Sequence, residues 1–148
     1  MGYVHIQLPP VDRTKDFDTN YWYWHHLWLY FTDKFSYVTI QCWNEETTAI
    51  AELKNYTNLM RSEGLVKEFK IDLNERTRRF FAEEAAFDSK LKWFNLFFHE
   101  VAGKEGLELH DYGREISFNR LTRGDAEDIV EFFNQHQADV KFVPDEQD

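Results

Sequence analysis

The chain has 148 residues, 43% hydrophobic and 18% aromatic, with 27 acids against 17 Lys and Arg and a formal charge of −10. Fourteen Phe, seven Tyr and five Trp exclude a wholly disordered chain and provide bulk for one domain core. A surface of this sign repels phosphate backbones and anionic membranes and attracts basic partners, so neither nucleic acid nor membrane is expected.

No apolar run approaches the ~20 residues that span a bilayer. The start Met-Gly-Tyr-Val-His-Ile-Gln-Leu-Pro-Pro lacks the basic end and apolar stretch of a secretory signal. Cys42 is alone, which removes any internal disulfide and fits a reducing cytoplasm. Asn55-Tyr56-Thr57 is then read as an accidental sequon.

Tyr3 to Leu8 alternates as a short strand, stopped by Pro9-Pro10. Residues 11–20 read as a polar loop. Next comes Tyr-Trp-Tyr-Trp-His-His-Leu-Trp-Leu-Tyr-Phe over 21–31, whose aromatic content reads as a strand. Alternation would put Leu27, Leu29 and Phe31 on an aliphatic face and Trp22, Trp24, His26, Trp28 and Tyr30 on an aromatic, polar-tipped one. A turn at 32–36 leads to a second strand over 37–43. Here Val38, Ile40 and Cys42 face one way, and Tyr37, Thr39, Gln41 and Trp43 the other. Pairing the two as a hairpin would set Trp24 opposite Trp43 and Tyr30 opposite Tyr37.

Asn44 is read as capping a helix to about Ser62, ended by Gly64. Leu65 to Leu73 alternates, with Phe69, Ile71 and Leu73 inward. Asn74 caps a helix through about Phe87, and Asp88 or Ser89 restarts one through Val101, read as the central core helix. Leu107–Asp111 and Arg114–Asn119 flank Tyr112-Gly113 as a hairpin. Thr122 or Asp125 caps a helix over about 124–136, and Val140 to Val143 forms a last strand.

The expected fold is α+β, a single antiparallel or mixed sheet with helices mainly on one face, forming one domain over 1–143. Residues 144–148 are expected to be a disordered acidic tail. Hairpin, helix, strand over 27–73 and again over 107–143 suggests repeated halves.

No reaction follows from the motifs. On a strand, His25 and His26 point apart and cannot chelate one ion. His99-Glu100 lacks the second His of a zincin helix, since Gly103 stands there. Asp16 to Asn20 fails as a calcium loop because Tyr21 replaces the needed Gly. Cys42, on an aliphatic face, is read as a buried inert thiol. Arg76, Arg78 and Arg79 are expected to pair locally with acids such as Glu75 and Glu83. No catalytic residue, metal or cofactor is assigned.

The aromatic face is left as the functional clue. Its residues Trp22, Trp24, His26, Trp28, Tyr30, Tyr37, Gln41 and Trp43 are candidates for binding a partner or ligand. Eight acids against Lys141 alone lie over 125–148, and Asp125, Glu127, Asp128 and Glu131 are candidates for electrostatic steering. The leading expectation is a non-catalytic cytoplasmic binding protein, of the inhibitor or immunity type, acting on a basic protein partner. The alternatives are a small-molecule binder or enzyme with a pocket at the aromatic face, and a homodimer that buries that face.

Overall fold

A computed structural model describes residues 2–135 and 138–144. The chain runs β1 (Gly2–Gln7), α1 (Phe17–Asn20), α2 (Trp24–Tyr30), β2 (Tyr37–Trp43), α3 (Thr47–Leu53), β3 (Leu59–Glu63), β4 (Val66–Asp72) and α4 (Glu75–Glu83). It continues through β5 (Ala86–Phe87), β6 (Lys90–Leu91), β7 (Asn95–His99), β8 (Glu105–His110), β9 (Glu115–Leu121), α5 (Arg123–Asn134) and β10 (Asp139–Pro144). Eight strands form one sheet in the order β10-β1-β9-β8-β7-β2-β4-β3, and β5 and β6 form a separate pair. Every pairing is antiparallel. The α+β class is therefore as expected.

Alternation sorts the sheet into two faces. Val38 and Ile40 of β2 are in register with Ile71 and Phe69 of β4 and with Phe98 and Leu96 of β7. Leu107 and Leu109 continue that face to Phe118 and Ile116 of β9, and on to Val4 and Ile6 of β1. All of these side chains are buried, in one core with Trp24, Leu27, Phe81, Ile129 and Phe133 from the helices. Trp28 lies against Phe98, and Phe133 against Phe118.

Residues 21–31 are not a strand. They form a turn and then α2, and β2 pairs with β4 and β7 instead. Buried Trp24, Leu27 and Trp28 and half-buried Phe31 recur at the i, i+3, i+4, i+7 spacing of a helix face. Consequently Trp24 does not meet Trp43, nor Tyr30 Tyr37, and the first of the two supposed repeats does not open with a hairpin. The polar segment before it carries α1, capped by Asp16, which accepts from Thr19 N at 2.8 Å.

Three further expectations change. The helix placed over 44–62 spans only Thr47–Leu53, with Glu46 rather than Asn44 before it. Its second half is β3, and Gly64, at φ +64°, makes the β3–β4 turn instead of a helix stop. The helix from Asn74 ends at Glu83, where β5 and β6 follow across Asp88 at φ +54°. The supposed core helix over 88–101 is the strand β7, with Leu96 and Phe98 inward and Asn95, Phe97 and His99 on the opposite face. Phe97 makes both faces ring-rich, which hides the two-residue period.

Of the three arginines, only Arg79 pairs locally, with Glu75 at 3.6 Å. Arg78 donates to the Thr32 Oγ1, Thr32 O and Phe35 O atoms, clamping the α2–β2 turn to α4, and Arg76 lies 4.3 Å from the Tyr56 ring centre. Gly113, at φ +78°, is required where a Cβ would come 2.7 Å from the Tyr23 hydroxyl. That hydroxyl instead donates to Gly113 O at 2.7 Å, tying the 21–23 turn to the β8–β9 hairpin.

Pro144 closes β10, while 145–148, the rest of the expected tail, lie outside the described residues. No helix of the described residues is long and apolar enough to cross a membrane.

Candidate functional site

The residues singled out from sequence divide among three environments. Trp24 and Trp28 are core: Trp24 is fully buried and donates from Nε1 to Phe81 O at 2.9 Å. Trp28 is 6% exposed and stacks on Phe81 with ring centres 5.3 Å apart. Neither is placed to anchor a partner on this surface.

Trp22, His26 and Tyr30 lie along the seam between α2 and α5. Trp22 is half-buried with its ring 5.5 Å from Phe132 and 5.6 Å from Phe133. His26 stacks on Phe132 at 3.8 Å, and desolvation there pulls its imidazole below the ordinary value. Tyr30 follows His26 at 4.6 Å and is 65% exposed, as is Leu29 beside it. Helical geometry explains the split, since positions 29 and 30 lie away from the 24–27–28 stripe.

Tyr30 opens onto a groove of about 220 Å³ formed with Phe31, Asp33, Phe118, Asp125 and Asp128, with Lys34 as its one cation. Asp125 and Asp128 are one helical turn apart on α5, so both reach this groove. Glu127 and Glu131 form a second exposed stripe of the same helix and do not line it. Thr122 accepts from Asp125 N at 3.2 Å and starts α5 in that orientation. Asp33, a plain turn residue to the eye, completes the acidic rim. Its only sequence signal is its place just after a segment whose rings read as a strand and which folds as a helix.

Tyr37, Gln41 and Trp43 do lie together on one face of β2, the face turned from the core. Tyr37 stacks on His99 at 4.6 Å with Lys70 over its other neighbourhood at 4.4 Å, and Trp43 meets Phe94 at 4.8 Å. Gln41 is the middle of a ladder crossing four strands. Asn95 Nδ2 donates to Gln41 Oε1 at 3.0 Å, Gln41 Nε2 to Glu68 Oε2 at 3.0 Å, and Arg61 Nη2 lies 2.7 Å from Glu68 Oε1. These polar groups are spent on one another, which orders the face.

Farther along the same face, β8 presents Glu105 and Glu108, beside His110 and Asn119. His110 Nε2 lies 3.2 Å from Glu108 Oε1, and Asn119 Nδ2 donates to Glu108 Oε2 at 3.1 Å. Desolvation, then the neighbouring Glu108, pushes the Glu105 carboxyl up to about 7. The sequence gives no sign of this pair, because only strand pairing sets Glu105 opposite His99. Cys42 is fully buried, and desolvation pushes its thiol up to about 12. Among the described residues no group of three His, Cys, Asp or Glu side chains is arranged to hold a metal ion.

Comparison with protein-family models, with curated proteins and with solved structures finds no match for this chain.

Proposed function

We propose that this protein is a non-catalytic binding protein of the inhibitor or immunity type, which docks a basic protein partner at the groove between α2 and α5. The observation that carries this reading is the meeting of exposed Tyr30 and half-buried Phe31 with Asp33, Asp125 and Asp128 in one groove. The aromatic rings of the groove supply contact area that desolvates on binding. Three carboxylates against one lysine give the rim a net negative charge, which accelerates encounter with a cationic surface. Trp24 and Trp28 support the site from below by holding α2, and the anchoring role passes to Tyr30.

The test is affinity capture on the immobilised protein, with a Tyr30→Ser/Asp125→Lys/Asp128→Lys variant as the control, followed by pairwise kinetics with the purified captured protein. The expected result is a basic protein that the variant loses. The variant's association rate should fall about tenfold or more and lose most of its salt dependence. A captured protein that is acidic, or whose binding is indifferent to both salt and the variant, overturns the reading.

A second reading rests on a separate observation. Glu105 and Glu108, on the polar face of the sheet, form a carboxyl pair able to hold a proton near neutrality, the property a small-molecule site with acid–base chemistry needs. Binding of a neutral small molecule lost in Glu105→Gln, with the fold intact, would favour it over the first.

A further inference from the structure

We infer that a second groove, where the 8–20 segment meets β9 and the end of α5, binds a small organic oxyanion: a carboxylate or phosphate joined to an apolar body. The groove has a volume of about 580 Å³, within the range of small-molecule sites. Leu8, Pro10 and Trp22 give it apolar walls, and its charged lining is Asp12, Lys15 and Arg114. Two cations against one acid make this lining positive in a protein of charge −10. The other three grooves described are negative, with three acids against two cations in two of them and three against one in the third.

Arg114 is the centre of the argument. It is 6% exposed, and it forms no ion pair with an acid of the described residues. Its Nη1 donates to Pro9 O at 3.0 Å and its Nη2 to Asn20 O at 2.8 Å, while the guanidinium lies 4.4 Å from the Tyr21 ring centre. These contacts fix the groove wall to the turn just before β9. They use two of the five N–H donors a guanidinium carries, the buried Tyr23 hydroxyl lies against the same group, and Nε has no hydrogen-bond partner.

A buried cation with unspent donors and no counter-charge is costly, and an oxyanion entering the groove would supply that charge. Asp12, on the rim, does not compete for this place. Its Oδ1 accepts from Thr14 N at 3.0 Å and from Thr14 Oγ1 at 2.6 Å. Lys15 is exposed at the mouth and adds the second positive charge. The apolar walls then select anions with an apolar body over small hydrated ones.

The experiment is a titration of the full ¹⁵N-labelled chain, following the Arg114 Nε–H resonance. The probes are benzoate, phenyl phosphate, inorganic phosphate and benzyl alcohol. A saturable shift with benzoate or phenyl phosphate is expected, and none with benzyl alcohol; which of the two binds tighter tells carboxylate from phosphate. Lys15→Glu, at an exposed position that leaves the core untouched, should weaken the tighter probe about tenfold. Arg114→Lys, followed by the indole N–H resonance of Trp22 in the same groove, should abolish saturable binding, and Lys15→Glu keeps the test decisive if that variant does not fold. No saturable shift at millimolar probe, or equal affinity in Lys15→Glu, overturns the inference. Inorganic phosphate binding as tightly as phenyl phosphate overturns the apolar-body requirement.

Discussion

Glu105 and Glu108 show what a pair of like side chains does on a half-covered sheet face. Desolvation and the adjacent Glu108 raise Glu105 from the ordinary 4.5 to about 7, against the opposing pull of Arg120. Desolvation raises Glu108 too, but hydrogen bonds from Asn119, His110 and Glu105 outweigh it and leave that carboxyl below its ordinary value. One proton therefore serves the pair, and it resides on Glu105. For an acid whose folded value is raised, the folded state binds more protons between the two values, so stability falls as pH rises through that window. Above the folded value the loss is complete. Glu105→Gln removes this dependence: its melting temperature should match wild type at about pH 5 and exceed it at about pH 8. Parallel pH profiles of the two proteins by thermal unfolding would show that the pair is not coupled to folding.

Among the elements, α4 is held by the most local chemistry. Asn74 Oδ1 accepts from Thr77 N at 3.0 Å, and Thr77 Oγ1 accepts from Asn74 N at 2.9 Å. Asn74→Ala should cost about 1 kcal/mol in urea denaturation, and an unchanged midpoint would mean α4 is positioned by packing alone. Such local signals are why this cap, the Thr122 cap, the Tyr112-Gly113 hairpin and the strands around Phe69 and Phe142 were legible in the sequence. Elements whose composition disguises their period were not. In α2 the ring-rich composition pointed to a strand, and the spacing of Trp24, Leu27, Trp28 and Phe31 was the better guide. In β7, Phe97 obscured an alternation that only pairing with β2 and β8 reveals. The candidate site divides the same way. Tyr30 and the α5 acids were legible as a candidate aromatic contact and a charge run. Their meeting with Asp33 in one groove depends on where α2 ends.

The whole molecule closes on itself through its first strand. β1 lies between β9 and β10, so residues 2–7 pair with partners more than a hundred positions away, His5 with Ser117 on one side and Lys141 on the other. Pairing at such separation is entropically late, and a sheet built this way folds slowly for its size. It also sets how the protein answers force. Gly2 is in register with Pro144 at one end of the β1–β10 ladder, and the pairs then run inward to Gln7 with Asp139. A load applied between residues 2 and 144 therefore opens this ladder one rung at a time, from the pulled end, instead of shearing all its hydrogen bonds together. In a single-molecule stretching experiment β10 should peel away first and at low force, ahead of the rupture of the central strands. Attachment at Gln7 and Pro144, which loads the same rungs in parallel, should demand a distinctly higher force.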